Sequence, residues 1–341
     1  MKSAVLVDKK KFEVLDVEEP KVKDGYIVID VKKAGICGSD IHYWDVGEPK
    51  GLVLGHEFCG VVSDNNGNKD FNIGDRVTAL PISPCGKCEA CLTGNPQYCR
   101  QTWTYASGLS LDNPGAYAPK MNVRMDMVYK VPDNVSDEEM AMVEPSAVAM
   151  HAVNLANIKL GSKVLVIGGG VIGLLSCMFA KKAGASYVAV SEVNLSRGKK
   201  AIKLGVAEKF YDATNPDLIK KLMADTLGGF DVVIECCGNS AAVTSAITAV
   251  KPGGTVVLVG VSLTPVNVPL VMAVMGEMTL KGAIAYTKEE FKSCIDMIGR
   301  REIDVSRFID DIVSLKDVQK AYERLTNGED SAIKILVDPN I

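Results

Sequence analysis

The sequence has little histidine, only 3 residues in 341, and it lacks both an excess of basic charge and a long apolar run. Lysine and arginine number 38 against 42 acidic residues, so the net charge of −4 gives no reason to expect a nucleic-acid partner. No stretch reaches the roughly 18 uninterrupted apolar residues of a membrane span, and charges interrupt the N-terminus where a signal peptide would be apolar. We therefore expect a cytoplasmic protein that does not enter a membrane.

Cysteine, by contrast, is plentiful, with 10 residues. In a cytosolic chain of this length, metal binding or core packing is a commoner role for cysteine than a disulfide framework. The length itself exceeds what one hydrophobic core usually serves and predicts about two domains.

The chain has two parts that differ in the pattern of apolar and turn-forming residues. Residues 1–147 contain short apolar runs broken by Gly, Pro, Asn and Asp, which predicts an irregular, mostly β domain. Residues 148–285 alternate six strand-like runs with helix-length segments, the pattern of an α/β doubly wound parallel sheet, or Rossmann domain. The strand-like AIKILVD near the end has no partner close in sequence, so we expect residues 286–341 to return to the first domain, interpreted as the catalytic one.

A glycine-rich turn after the strand KVLVI carries the cofactor signal. Its first glycine allows a tight turn, its second lets backbone approach a pyrophosphate and its third permits close packing of helix on strand. The acid that ends the next strand favours the ribose hydroxyls of NAD and repels the 2′-phosphate of NADP, whereas a nearby arginine weakens that preference. The predicted cofactor residues are Gly168, Gly170, Val171, Ile172, Gly173, Glu192 and Arg197.

Four cysteines form a compact lobe over residues 84–100. Cys85, Cys88, Cys91 and Cys99 follow the spacing C-x2-C-x2-C-x7-C among glycines and prolines. Four thiolates at such spacing suit a closed, structural zinc, although iron–sulfur clusters use similar spacings. A zinc ribbon for nucleic acid is disfavoured because the flanking sequence is not basic.

Further metal-ligand types lie outside the lobe: Cys37 in AGICGSDIHYW, His56 with Glu57 in GHEFCG, and Glu144 in VEPSAVAMHA. A zinc held by three protein groups keeps a fourth position for substrate and, as a Lewis acid, lowers the pKa of a bound hydroxyl. The remaining histidine and the other cysteines lie in apolar surroundings and are expected to be structural; these are His151, Cys59, Cys177, Cys236, Cys237 and Cys294.

These motifs together resemble the zinc-dependent alcohol dehydrogenases of the medium-chain dehydrogenase/reductase superfamily, in the polyol branch of sorbitol, butanediol and threonine dehydrogenases. The resemblance rests on AGICGSDIHYW, GHEFCGVV, GDRV, PCGKCEACLTGNPQYC, VEPSAVAMHA and VIGGGVIG. It implies reversible, NAD-linked oxidation of a secondary hydroxyl in a polyol or vicinal diol. It also implies two zinc ions per chain, one catalytic and one structural, and a homotetramer or homodimer.

The same resemblance implies roles for single residues. Cys37 and His56 are implied ligands of the catalytic zinc, Glu144 stands at the third-ligand position, and Glu57 is expected to bind or approach the metal in some states. The implied proton relay runs from the substrate hydroxyl through Ser39 and the nicotinamide ribose to His42. Asp40 is implied to orient His56.

The substrate is less well defined by these residues. Tyr43 and Trp44 follow the sorbitol dehydrogenase pattern, in which this aromatic pair lines the substrate cleft. Ala285 stands where those enzymes have an arginine before a tyrosine, which leaves room for a shorter diol, of the butanediol or threonine type. Two alternatives stay open: a non-catalytic NAD-binding protein with structural zinc only and, less favoured, a zinc-independent reductase.

Overall fold

The computed structural model describes residues 1–328 and 330–341. Its strands are β1 (Lys2–Asp8), β2 (Lys11–Asp16), β3 (Tyr26–Gly35), β4 (Glu57–Asp64), β5 (Arg76–Ala79), β6 (Lys120–Arg124), β7 (Val128–Lys130), β8 (Lys163–Ile167), β9 (Tyr187–Glu192), β10 (Lys209–Asp212), β11 (Phe230–Glu235), β12 (Val250–Leu258), β13 (Thr279–Gly282), β14 (Asp311–Ser314) and β15 (Ile335–Asp338).

The helices are α1 (Gly38–Val46), α2 (Glu89–Leu92), α3 (Asp137–Ala141), α4 (Val143–Ala156), α5 (Val171–Lys182), α6 (Leu195–Lys203), α7 (Leu218–Thr226), α8 (Ser240–Ala249), α9 (Leu270–Met275), α10 (Lys288–Gly299) and α11 (Val318–Thr326). None of the helices in these described residues combines the length and the apolar character that crossing a membrane requires.

The chain divides into two compact units. The first unit contains Met1–Ala147, Tyr286–Asn327 and Lys334–Ile341, and the second contains Val148–Ala285 and Gly328–Ile333. The sequence had placed residues 328–333 in the catalytic domain, and this detail was wrong. The side-chain amide of Asn194, at the start of α6, donates to the backbone oxygens of Gly328 (2.6 Å) and Asp330 (3.0 Å), which ties that short segment to the second unit.

The first unit is built on a seven-stranded sheet with the path β14-β15-β3-β4-β5-β7, on which β6 also pairs with β3. β3 is the longest strand, and one of its edges pairs with β4 along most of its length. Its other edge is shared, because β6 covers the first half and the C-terminal β15 covers Ala34 and Gly35. The last strand of the chain therefore begins beside the turn that leads from β3 into α1.

The second unit is a parallel sheet of six strands in the order β10-β9-β8-β11-β12-β13. The first three strands run outward on one side and the next three on the other, which is the arrangement of a doubly wound dinucleotide-binding sheet and confirms the predicted fold class. Apolar side chains of the strands pack against α7 and α8 in one core, which includes Leu165, Val233, Leu222, Ala246 and Ile247.

Candidate active site

A sharp strand-to-helix turn in the first unit presents the predicted ligand Cys37. β3 ends at Gly35 and α1 begins one residue after Cys37, so the thiol stands at the N-cap of the helix. The carboxylate of Asp40, three residues on, accepts the backbone N–H of Cys37 at 3.2 Å, a common way to satisfy a free helix N-terminus. The helix stops at Gly47, whose left-handed backbone and close approach to Lys9 leave no space for a Cβ.

His56, just before β4, lies against this turn. Its Nδ1 is 3.1 Å from Asp40 Oδ1, and its Nε2 is 3.4 Å from the hydroxyl of Ser39, which is itself 3.3 Å from Cys37 Sγ. A carboxylate at Nδ1 favours the tautomer that leaves Nε2 free as a metal ligand. Burial alone lowers the pKa of His56, but the charges of Asp40 and Cys37 outweigh it and raise that pKa well above its usual value.

Glu57 is held by a lysine that the sequence analysis did not single out. Lys334, directly before β15, donates to Glu57 Oε2 and, at 3.0 Å, to the backbone oxygen of Ile36; both side chains of the ion pair are almost completely buried. A Cβ on Gly35 would overlap this ion pair, so glycine is required at the end of β3. A lysine inside the apolar run AIKILVD was the available signal for this contact.

Glu144 lies on the first turn of α4, and a second residue that the sequence analysis missed holds it. Tyr286 is buried, stacks on Phe291 with ring centroids 5.5 Å apart, and donates its hydroxyl to Glu144 Oε1 at 2.9 Å. Burial, reinforced by the nearby charge of Glu57, raises the pKa of Glu144 to about 7. Oε1 of Glu144 therefore accepts a hydrogen bond from Tyr286.

The chemistry of this donor set fits zinc. Cys37, His56 and Glu144 offer sulfur, nitrogen and oxygen, the three ligand types of catalytic zinc sites. Glu57 Oε1 is a buried carboxylate oxygen that has no hydrogen-bond partner among the described residues. The set is looser than the cysteine lobe. In the part of the chain that the structure describes, only the four lobe cysteines bring three or more ligand atoms within 4.8 Å of one another.

The cysteine lobe is compact. Cys88 Sγ lies 3.5 Å and Cys85 Sγ 3.9 Å from Cys91 Sγ, near the roughly 3.8 Å that zinc–sulfur bonds of about 2.3 Å impose in a tetrahedron. The backbone N–H groups of Cys85 (3.3 Å) and Gln101 (3.4 Å) donate to Cys99 Sγ, and they lower the pKa of Cys99 to about 6. These cysteines fit a closed metal site with no place for a substrate.

The predicted substrate pair Tyr43 and Trp44 separates in the structure. Trp44 is only 3% exposed and packs on Tyr322 with ring centroids 5.6 Å apart, so it belongs to the core rather than to a cleft wall. The helical spacing explains this, because adjacent residues of α1 point in different directions. Tyr43 and His42 are both partly exposed, and a substrate role for Tyr43 and a relay role for His42 stay predictions.

The glycine turn lies in the second unit, between β8 and α5. Gly168 has a left-handed backbone, and a Cβ on Gly173 would overlap the backbone oxygen of Gly168, so both positions require glycine. A Cβ on Gly170, the N-cap of α5, would meet nothing within 4 Å. Open space in front of a helix N-terminus, followed by Val171 and Ile172 in its first turn, fits a bound pyrophosphate.

Glu192 ends β9 beside this turn and is almost completely buried. Its two oxygens accept the backbone N–H groups of Gly169 and Asn194, which fixes the carboxylate next to the glycines. Arg197 follows in the first turn of α6.

The cysteines expected in the core are buried at Cys59, Cys177 and Cys294, and Cys236 is partly buried. The prediction was wrong for Cys237, which is exposed because it lies in the turn after β11.

Comparison with known proteins identifies the family. A family model described as zinc-binding dehydrogenase matches residues 171–300, and one described as alcohol dehydrogenase GroES-like domain matches residues 23–133. The chain is 33% identical to the probable D-xylulose reductase A of Aspergillus clavatus, over 96% of this chain and 93% of that protein. It belongs to the zinc-dependent medium-chain dehydrogenase/reductase family.

Solved structures of similar medium-chain dehydrogenases cover almost the whole chain. The crystal structure of 2R,3R-butanediol dehydrogenase from Bacillus subtilis matches with a TM-score of 0.88 and 30% identity, covering 99% of each chain. A putative zinc-binding dehydrogenase from Sinorhizobium meliloti, bound to NADP, matches with a TM-score of 0.89 and 30% identity, again covering 99% of each chain. These matches confirm the resemblance found in the motifs, and this medium-chain dehydrogenase is an oxidoreductase that acts on a CH–OH group.

Proposed function

We propose that the chain oxidises a secondary hydroxyl of a polyol or vicinal diol with NAD, reversibly, at a zinc held by Cys37, His56 and Glu144. The observation that carries this proposal is the arrangement of the buried Asp40 and His56 with the partly buried Ser39 and Cys37, in which the Ser39 hydroxyl lies within 3.4 Å of both His56 Nε2 and Cys37 Sγ. Zinc bound there would act as a Lewis acid that makes the substrate hydroxyl more acidic.

We assign the third ligand position to Glu144 rather than Glu57. The ammonium of Lys334 binds one oxygen of Glu57 and compensates the negative charge of Glu57 inside the protein. Glu57 therefore does not add an uncompensated negative charge to that of Glu144, which would oppose loss of the proton from the substrate hydroxyl. Within the described part of the chain Glu57 Oε1 has no hydrogen-bond partner, which leaves Glu57 as an alternate ligand.

Ser39 is the proposed first proton acceptor. Its hydroxyl lies within 3.4 Å of both Cys37 Sγ and His56 Nε2, the proposed ligand atoms of the zinc that would bind the substrate oxygen. His42 follows one turn later on α1 and is partly exposed, so it can exchange a proton with solvent. A bound nicotinamide cofactor would supply the ribose hydroxyl that this relay also requires.

NAD is the proposed cofactor, although one similar structure is described as bound to NADP. The buried carboxylate of Glu192 beside the glycine turn supports NAD, because an anion there repels a 2′-phosphate and accepts hydrogen bonds from ribose hydroxyls. Bound nicotinamide would supply the hydride acceptor, and the chain would supply its position.

A diol or a short polyol is the proposed substrate class. The names of the similar proteins, a D-xylulose reductase and a 2R,3R-butanediol dehydrogenase, cover a sugar ketone and a short diol. Ala285 offers no cation to a long polyol, and Tyr43 is the member of the predicted aromatic pair that remains partly exposed.

The four-cysteine lobe supports a second, structural zinc, giving a proposed content of two zinc ions per chain. We further propose a homo-oligomer, a dimer or tetramer. β13 is the edge strand of the second unit's sheet, and α9 exposes Leu270, Val271, Val274 and Met275. An unpaired strand edge next to exposed apolar residues supports association of like chains, which sedimentation analysis can test.

Three measurements on the purified protein test the proposal. A panel of C4 to C6 diols and polyols, followed by NADH absorbance with NAD or NADP as cofactor, should show turnover with NAD and with a subset of the panel. Metal analysis should give about two zinc ions per chain. Cys37→Ala should remove one zinc and all turnover but retain NAD binding.

Normal turnover by Cys37→Ala would refute the catalytic site. NAD binding with a single zinc and no turnover in the wild type would instead support a non-catalytic protein.

A further inference from the structure

Two buried tyrosines are hydrogen-bonded in series to Asp40 in the first unit, and the other carboxylate oxygen of Asp40 lies 3.1 Å from His56 Nδ1. Tyr117 Oη donates to Asp40 Oδ2 at 3.2 Å, and the hydroxyl of Tyr322 lies 3.1 Å from that of Tyr117. All three side chains are fully buried. The order Tyr322, Tyr117, Asp40, His56 joins residues from four separate parts of the sequence.

Packing accounts for the rings but not for their hydroxyls. Phe12, Trp44, Tyr117 and Tyr322 form one aromatic cluster, in which Tyr322 lies 4.8 Å from Phe12 and 6.4 Å from Tyr117 between ring centroids. Phenylalanine would fill the same space as either tyrosine. A buried hydroxyl needs a hydrogen-bond partner, and here both hydroxyls are directed along the line that ends at Asp40.

Asp40 is a buried carboxylate whose orientation is fixed by the groups that donate hydrogen bonds to it. Oδ2 accepts the backbone N–H of Cys37 and the hydroxyl of Tyr117, each at 3.2 Å, and this leaves Oδ1 to face His56 Nδ1. If Tyr117 donates to Asp40, the oxygen of Tyr117 is free to accept the hydrogen of Tyr322. By donating to Tyr117, Tyr322 favours the arrangement in which the Tyr117 hydroxyl donates its hydrogen to Asp40.

From this geometry we propose that Tyr117 and Tyr322 are positioning residues for the catalytic metal site. Tyr117 holds the Asp40 carboxylate in the orientation that keeps the His56 ring turned with Nε2 toward Cys37, and Tyr322 supports Tyr117. The inference rests on the proposed function, because it takes Cys37 and His56 as ligands of the catalytic zinc. Outer partners of a ligating histidine commonly change metal affinity by about 10- to 100-fold.

Zinc release to a chromogenic chelator, with Co(II) substitution in parallel, tests the proposal without relying on turnover. The zinc that is absent from Cys37→Ala is identified as the catalytic one. In Tyr117→Phe this zinc should leave about 10- to 100-fold faster, the lobe zinc should leave at the wild-type rate, and the Co(II) visible bands should shift. Tyr322→Phe should give a smaller acceleration in the same direction.

Tyr187→Phe is the matched control, since it removes a hydroxyl that is 3.1 Å from the hydroxyl of Tyr211 in the second unit. It should leave both release rates and the Co(II) spectrum unchanged. Wild-type release and an unchanged Co(II) spectrum in Tyr117→Phe would overturn the proposal, and if that variant does not fold, the same result in Tyr322→Phe overturns it. A wild-type protein with only the lobe zinc would instead refute the proposed function itself.

Discussion

Removing the ammonium group of Lys334 should strongly destabilise the first unit. Lys334 is fully buried and the side chain of Glu57 is 1% exposed, so Glu57 would be left as a buried charge without its partner. Breaking a buried ion pair from one side typically costs about 3–5 kcal/mol. We expect Lys334→Met to lose about that much free energy of unfolding. The double variant Glu57→Gln/Lys334→Met should lose about 1 kcal/mol or less, because no charge remains buried.

Urea unfolding followed by tryptophan fluorescence measures this effect in the right part of the molecule. The chain has 2 tryptophans, Trp44 and Trp103, and both belong to the first unit. The midpoint and slope give the free energy of unfolding for each variant. Lys2→Met is the control, because the Lys2–Asp16 pair is largely exposed and should contribute less than about 1 kcal/mol. A loss below about 1 kcal/mol in Lys334→Met, or an equal loss in the double variant, would refute the reasoning.

Four other substitutions, tested in three experiments, have distinct expected results. Gly173→Ala should abolish NAD binding and lower the melting temperature, because the added Cβ overlaps the backbone oxygen of Gly168. Gly170→Ala should weaken NAD binding without changing the melting temperature, because its Cβ would meet nothing within 4 Å. Calorimetry measures both effects, and equal melting temperatures of the two variants would contradict the assignment. Cys99→Ser should unfold the lobe, because it removes one of the four proposed zinc ligands, and metal analysis should then find one zinc per chain. Two retained zinc ions would exclude a zinc site in the lobe. Tyr286→Phe should lower kcat about tenfold or more by freeing Glu144, with NAD affinity unchanged in fluorescence titration; wild-type kcat would show that the hydroxyl is dispensable.

The parts of this protein that the sequence alone could predict are those in which a short stretch of chain encodes its own geometry. The glycine turn follows from three glycines whose spacing matches one strand end and one helix start, and the four-cysteine lobe follows from a spacing that brings the sulfurs together within one loop. The Rossmann sheet was predictable for the same reason, since the spacing of apolar residues indicates each strand and helix. Local pattern could not reveal that Trp44 faces the core while Tyr43 remains partly exposed.

Only the tertiary structure decided the surroundings of the proposed catalytic ligands. Lys334 reaches Glu57, Tyr286 reaches Glu144, and Tyr117 reaches Asp40 across long separations in sequence. These contacts exist because β15 pairs with the end of β3 and because residues 286–327 pack back into the first unit. A buried charge or hydroxyl requires a partner, but the sequence does not say which distant residue supplies it. That choice is made by strand pairing and core packing, which depend on the whole fold.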